Sequence, residues 1–303
     1  LTAISLLATN AARLPAPAEV TDVWPIRWLI AESLLCWLPP EVRESTTFAP
    51  VCSSCAVCRL ISIAGALSTA HQYRDAFQEV DQQALFAPIT KKTWTVPSAD
   101  RVPEIFREAF RTALAPRRGP VQVNLPRDVL AAQADFADWP APSSYRPDSL
   151  PSAHPDQIKA AAQMLANAER PVILAGGGIK NSRGDAAALA LAEALNAPII
   201  TSPGHGDAVP FGHPLNAGQM GPRGNAVASR LAKEADVILA LGTRLGFNST
   251  FYSYDNINRD ASIIQVELEP TAIGRFFPVE IGIWGDAPET ARQLTAALDS
   301  LQR

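Results

Sequence analysis

The stretch RPVILAGGGIKNSRGDAAALALAEALNAPII, residues 170–200, decides the fold. Pro171-Val-Ile-Leu-Ala175 is a short, fully apolar run that ends on three glycines. Asp185 to Leu195 then reads as a helix, and Pro198-Ile-Ile-Thr201 returns to a short apolar strand. A strand with no polar alternation is buried on both faces, and a helix between two such strands is the signature of a parallel crossover. The same grammar continues downstream. Asn225 to Glu234 is helical and Val237-Ile-Leu-Ala-Leu241 is a strand. Ser262-Ile-Ile-Gln-Val266 and Glu280 to Ile283 are further strands, and Pro288 to Leu298 closes with a helix. Upstream, Ile158, Ala161, Ala162, Leu165 and Ala166 fall on one helical face. The expectation for residues 155–303 is a doubly wound α/β domain.

Working outward, Ala131 to Pro155 is rich in Pro, Ser and Ala without a period, which predicts a linker over 131–154. Before it, Val102, Ile105, Phe106, Ala109, Phe110 and Ala113 make an amphipathic stripe, with Asp100 and Pro103 near the helix start. Gly119 to Leu125 then alternates as a strand and stops at Pro126. Residues 61–130 therefore read as part of a second α/β unit. Residues 1–60 show scattered Pro and Trp and no persistent period, which predicts few ordered contacts there.

Composition bounds the function classes. The 303 residues are 47% hydrophobic and 18% charged, the composition of a folded globular chain. A net charge of −4 supplies no basic field for nucleic acid. The longest apolar run, Trp28 to Leu38, is broken by Glu32, so no membrane span is expected. The apolar start, Leu1 to Ala18, is faintly like a signal peptide but has no basic segment ahead of it; the expectation is a cytoplasmic protein. Cys52-Ser-Ser-Cys55-Ala-Val-Cys58 has metal-like spacing and Cys36 is a fourth thiol, but no separate Cys-x-x-Cys pair follows, so the expectation is incidental thiols and no metal site.

Several motifs, in order, resemble the thiamine diphosphate enzymes of the acetolactate synthase type. They are Gln72-Tyr-Arg-Asp-Ala-Phe-Gln-Glu-Val-Asp81, Pro88-Ile-Thr-Lys91 and Gly119-Pro-Val-Gln-Val-Asn-Leu-Pro-Arg-Asp128. Arg170 to Gly178, Ala240-Leu-Gly-Thr-Arg244, Ile264 to Glu269 and Gly285-Asp286 follow. Sulfoacetaldehyde acetyltransferase is a close second resemblance, through Gly204-His-Gly-Asp-Ala208 and Thr243-Arg-Leu with Ser249-Thr. The likeness runs from about Ile61 onward. It implies a partial pyrimidine-binding domain over 61–130 and the family's central domain over 155–303. It also implies a carboligase or transferase acting on a 2-oxo acid, as a homodimer or homotetramer. Phe77, Gln78 and Lys91 match positions near the substrate channel. Gly176, Gly177, Gly178, Gly242, Thr243, Arg244, Glu267, Gly285 and Asp286 match the central domain's cofactor positions. That site takes FAD in some members, and FAD or ADP is the corresponding expectation here.

The intact family binds thiamine diphosphate and Mg²⁺ through a pyrimidine-domain glutamate and a downstream Gly-Asp-Gly motif followed by Asn. Neither is matched here: Glu32, Glu41 and Glu44 lack the family's surroundings. A reading-frame shift upstream of about Ile61 accommodates this. Val23 to Ala31 and Trp37 to Thr47 are compatible, in another frame, with the family's Met-Ala-Asp and Ser-Gly-Pro-Gly segments. The expectation is thus an incomplete chain, inactive alone. The alternative is a nucleotide-binding or scaffolding module without thiamine chemistry. A sirtuin-type deacetylase would need two Cys-x-x-Cys pairs and a catalytic His, which the sequence does not offer.

Three smaller features complete the reading. Backbone N–H groups at Gly176 to Gly178 can meet a pyrophosphate, but Lys180, Asn181 and Ser182 leave the G-x-G-x-x-G fingerprint unfinished, which favours a plain tight turn. His205 and His213 flank Asp207 on a Gly/Pro-rich loop and read as cleft-lining polar residues, with no third metal ligand in register. For Phe77 and Lys91 the plain alternatives are a core aromatic and a solvated charge.

Overall fold

A computed structural model describes residues 60–77, 79–136, 141–145, 149–221 and 223–301. Gln78, the cysteines, Glu32, Glu41, Glu44, the Trp28–Leu38 run and the segment invoked for a frame shift lie outside these residues. The chain divides into two compact units between Pro147 and Asp148, inside the Pro/Ser/Ala-rich segment.

The first unit carries β1 (Ile61–Ala66), α1 (Gln82–Phe86), β2 (Thr93–Thr95), α2 (Val102–Leu114), β3 (Val121–Pro126) and α3 (Arg127–Ala131). Its strands form a parallel sheet in the order β1-β3-β2. Pro103 sits in the first turn of α2, where its missing N–H costs nothing. The stripe Ile105, Ala109 and Ala113 packs on Trp94, Val96, Val121 and Val123 to make this unit's core. At the end of β3, the Asp128 carboxylate accepts from both the backbone N–H and the hydroxyl of Thr69.

The second unit contains α4 (Pro155–Asn167), β4 (Pro171–Ala175), α5 (Gly177–Ser182), α6 (Asp185–Leu195), β5 (Ile199–Thr201) and β6 (Asn216–Gln219). It continues with α7 (Ala226–Glu234), β7 (Val237–Leu241), α8 (Phe247–Thr250), β8 (Ser262–Glu267), β9 (Ile281–Trp284) and α9 (Ala287–Leu301). All six strands are parallel, in the order β6-β5-β4-β7-β8-β9. Renumbered within the unit this is 3-2-1-4-5-6, the doubly wound order that reverses direction between its first and fourth strands.

Alternate strand residues serve opposite faces. Ile173, Leu239, Leu241 and Ile264 pack against α4, α6 and α9 through Leu165, Leu191 and Leu294. Val172, Leu174, Ile200, Ile238 and Ile263 face Ala228 and Ala232 of α7. Burial on both faces is why these strands read as unbroken apolar runs. One helical expectation shifts: Ala166 lies on the exposed side of α4, while Ile158, Ala161, Ala162 and Leu165 are buried. Two elements carried no periodic signal. The strand β6 holds a glycine and pairs only with the edge of β5, and α5 begins inside the glycine triplet. At the other end of the sheet, the Asp236 carboxylate accepts from the N–H groups of Glu169 and Arg170 at 2.7 and 2.9 Å, tying the start of β7 to the turn before β4. No helix among the described residues is long and apolar enough to cross a membrane.

Candidate functional site

Open parallel sheets of this kind bind ligands outside the carboxyl ends of the strands, where the strand order reverses. Here that point lies between β4 and β7. The chain leaves β4 as Gly176-Gly177-Gly178 and leaves β7 as Gly242-Thr243-Arg244, so two groups of residues singled out in the sequence meet directly.

The contact is backbone on backbone. The N–H of Gly176 donates to the carbonyl of Leu241 at 3.0 Å, and that of Gly178 to the carbonyl of Gly242 at 2.9 Å. The N–H groups of Ile179 and Lys180 both reach the Gly176 carbonyl. Glycine is required for this approach. A Cβ on Gly176 would lie 2.5 Å from the Gly242 oxygen, and one on Gly178 would lie 2.6 Å from the Gly242 Cα. Gly242 adds a φ of +66°, a conformation that side chains disfavour. The triplet therefore starts a helix and seats it on β7; it is more than a tight turn.

Around this seam stand the other expected positions. Thr243 is buried, and its carbonyl accepts from Gln265 Nε2 at 3.2 Å. The same amide nitrogen donates to Ala272, and Gln265 Oε1 accepts from the Gly274 N–H at 2.8 Å. Gln265 thus fixes the loops after β7 and β8 from within the sheet. Glu267 ends β8, opposite Trp284 of β9. Asp286 Oδ2 accepts from the Glu289 N–H at 3.2 Å, so it caps the first turn of α9. Gly285 lies against Thr290 and Ala153, where a Cβ would meet the Thr290 hydroxyl at 3.0 Å.

Arg244 is exposed and has no carboxylate partner among the described residues. His205, on the loop after β5, packs its imidazole over Gly177, where a Cβ would come within 3.0 Å of the ring. Burial lowers the His205 pKa first, the Lys180 and Arg244 charges lower it further, and Asp207 partly opposes them. Lys180 Nζ pairs with Asp207 at 2.8 Å, which holds that carboxyl below its ordinary range. His213 does not join this group; its Nε2 lies 3.0 Å from Glu193 Oε1, on α6. Two bulky aromatics in left-handed conformations, Phe251 and Tyr252, lie in the loop after α8. With Phe247 and Phe276 they form a partly exposed cluster with ring centroids 4.3 to 5.6 Å apart.

In the first unit, Phe77 is 88% exposed, so the expectation of a core aromatic is corrected. Its loop is shaped by the Glu79 carboxylate, which accepts from the N–H groups of Tyr73 and Ala76; those bonds lower its pKa. Lys91 is likewise no freely solvated charge. Its Nζ donates to the Thr112 carbonyl at 2.6 Å, in the last turn of α2, where helix carbonyls favour a cation.

The sequence reading missed the Lys180–Asp207 pair, the Gln265 clamp and the aromatic cluster. A polar residue within an apolar strand was the one available signal, at Gln265.

These residues match a described family. Its model, "Thiamine pyrophosphate enzyme, central domain", matches residues 158–294. A probable acetolactate synthase large subunit from Methanocaldococcus jannaschii is 37% identical over 248 residues, which is 80% of this chain and 42% of the relative. The acetolactate synthase large subunit of Corynebacterium glutamicum is 33% identical over 238 residues, 78% of this chain and 37% of that one. A probable sulfoacetaldehyde acetyltransferase from Rhizobium meliloti is 38% identical over 226 residues, 73% of this chain and 37% of its own. The chain thus spans about 40% of the length of the curated relatives it matches.

Proposed function

The chain belongs to the thiamine pyrophosphate enzymes of the acetolactate synthase type, and from that premise we propose that its second unit is the nucleotide-holding central domain of a 2-oxo acid carboligase. The observation that carries this reading is the meeting of Gly176–Gly178 with Gly242–Arg244 at the strand-order reversal. The crevice is bordered further by Glu267, Gly285 and Asp286. Arg244 is exposed there and, among the described residues, has no carboxylate partner, which fits an anionic ligand such as FAD or ADP. In the assembled enzyme, Phe77, Gln78 and Lys91 line the channel for the 2-oxo acid. A homodimer or homotetramer covers the exposed side chains of Tyr73, Phe77 and Val80.

The described residues do not by themselves fit thiamine diphosphate with Mg²⁺. Among them no group of three or more His, Cys, Asp and Glu side chains converges. The work we assign to the second unit is binding and orientation. Its sheet edge fixes the nucleotide's position, and its charged loops set the nucleotide's affinity.

The 303-residue chain is accordingly expected to bind ADP or FAD with micromolar affinity in calorimetric titration. It should consume no pyruvate when supplied with thiamine diphosphate and Mg²⁺. Sustained turnover by this chain, or heat from thiamine diphosphate with Mg²⁺ but none from either nucleotide, would contradict the assignment.

A further inference from the structure

We infer that β1 of the first unit is a docking edge for a second copy of this chain, joined antiparallel on a two-fold axis through Ile63. The inference goes beyond the nucleotide reading and does not depend on it.

The first observation is an edge that nothing blunts. Among the described residues β1 has a neighbouring strand, β3, on one side only. The Leu60 carbonyl accepts from the Val121 N–H at 2.9 Å. Alternate residues of a strand address opposite sides, so Ser62 and Ala64 serve β3 while Ile61, Ile63 and Gly65 turn their N–H and C=O groups away from it. Of these outward groups, the Gly65 carbonyl accepts from Gln82 Nε2 at 2.9 Å, and a carbonyl can accept a second bond. Open edges are normally short, charged or bulged. The other sheet edges follow that rule. β2 is three residues long and preceded by Lys91 and Lys92, β6 is four residues long and joined through a register shift, and β9 also has four. β1 runs for six residues, Ile-Ser-Ile-Ala-Gly-Ala, with no charge and no proline.

The second observation identifies the occupant. Ile61, Ile63 and Gly65 are spaced evenly about Ile63, so the outward pattern is its own antiparallel complement. A copy turned about an axis normal to the sheet sets Ile63 opposite Ile63 and Ile61 opposite Gly65. Each becomes a hydrogen-bonded pair that exchanges both N–H···O bonds, and no outward group is left over. The side chains agree. Ile61 and Ile63 lie on the α2 side of the sheet, where Ile61 is buried and Ile63 half-buried. On that side nothing among the described residues stands within 4 Å of a Cβ placed on Gly65, so the facing Ile61 has room. The two Ile63 side chains meet at the axis and carry the apolar layer across the junction. On the opposite side Ser62 meets Ala64, small against small. Nowhere along the pairing does a charge confront a like charge.

The arrangement also closes. A two-fold pairing consumes both β1 edges, and the outer edges of the joined sheet are then the short β2 strands. The product is a dimer with one continuous sheet, and it does not grow into a fibre.

The test is sedimentation of the whole chain over a micromolar concentration series, wild type beside Ile63→Pro and Gly65→Lys. Proline removes the outward N–H at the axis, and an edge residue whose N–H faces solvent tolerates it. Gly65→Lys places a charged chain where the facing Ile61 must sit, yet meets no described neighbour within its own subunit. Circular dichroism confirms that each variant is folded. The wild type should dimerise, and each variant should raise the dissociation constant roughly tenfold or more, the scale of losing a symmetric pair of backbone hydrogen bonds. Oxidative cross-linking reads the register. Ile63→Cys should give a disulfide-linked dimer that mass spectrometry maps to position 63, because Cα atoms of a hydrogen-bonded pair stand ~5.5 Å apart. Ala64→Cys should give none, since Ser62 stands opposite it. If Ile63→Pro fails to fold, Gly65→Lys and the cross-link decide. A wild type that stays monomeric would overturn the inference, including one whose 61–65 amides are protected from exchange by the chain's own upstream residues. A dimer indifferent to the variants, held instead through Tyr73 and Phe77, would overturn it while leaving the homodimer of the assembled enzyme intact. Cross-linking at position 64 and not at 63 would overturn the two-fold register.

Discussion

Gly242→Ala is expected to destabilise the second unit by about 2–5 kcal/mol. The figure combines ~1–2 kcal/mol for forcing a side chain into a left-handed conformation with ~1–3 kcal/mol for overpacking. The new Cβ would stand 2.7 Å from the Gly178 Cα and 3.1 Å from the Ala287 Cβ. The first neighbour is backbone, held by the Gly178 N–H bond to Gly242 itself, so it cannot swing aside. For a unit of this size, thermal unfolding should drop by roughly 5–15 °C. Gly204→Ala is the control. Its φ of +82° carries a conformational cost, but nothing lies within 4 Å of the added methyl, so its loss should be only about 1 kcal/mol. Equal melting temperatures for the two variants would show that the glycine seam between β4 and β7 is not closely packed.

Gln265→Leu should cost about 2–4 kcal/mol. The substitution keeps the volume but removes a side chain that satisfies the carbonyls of Thr243 and Ala272 and the N–H of Gly274. Gln265 is nearly fully buried, so water does not replace those partners without opening the sheet edge. Because two of the three partners lie on the loop after β8 and one beside Arg244, nucleotide affinity should fall together with stability. Chemical denaturation of the variant would check the first effect, and ADP titration the second. An unchanged denaturation midpoint would mean that the two loops are held by other contacts.

Much of the second unit was legible because its physics is local. Val237 to Leu241 and Pro171 to Ala175 are strands between Ala-rich helices, and their apolar runs mark them without tertiary information. The helix from Asp185 to Leu195 was equally plain, ending on Asn196 in the left-handed conformation that asparagine tolerates. By contrast, β6 was not legible. Asn216-Ala-Gly-Gln219 has neither apolar alternation nor β-branched residues, and it is a strand because β5 offers it an edge.

The site divided along the same line. Gly176 to Gly178 and Gly242 were visible as glycines at strand ends, but their partnership was not, since it depends on the sheet order that places β4 beside β7. Reading the triplet as a phosphate turn assigned its N–H groups to a ligand; the fold gives those of Gly176 and Gly178 to β7. Lys180 was read as an interruption of a fingerprint. In the fold it is the cation that positions the His205 loop through Asp207, 27 positions later in the sequence. Asp286 carries a further lesson. A residue chosen for its match to a cofactor position also caps α9, so its presence is explained by the helix before any ligand is considered.

A competing location exists within the same unit. A cavity of about 580 Å³ opens at the amino-terminal edge of the sheet, lined by Leu165, Pro171, Leu195, Pro198, Leu231 and Leu298 among others. Its walls are as polar as they are apolar, and Glu169 and Glu234 outnumber Arg170 there, which disfavours a polyanion. The strand-reversal crevice and this cavity lie at opposite edges of the sheet, so one measurement separates them. Amide hydrogen exchange of the 303-residue chain with and without saturating ADP should show added protection confined to residues 176–183, 202–208 and 242–247. Protection at residues 165–172 and 194–198 instead, with none at the glycine seam, would contradict the assignment of the nucleotide site.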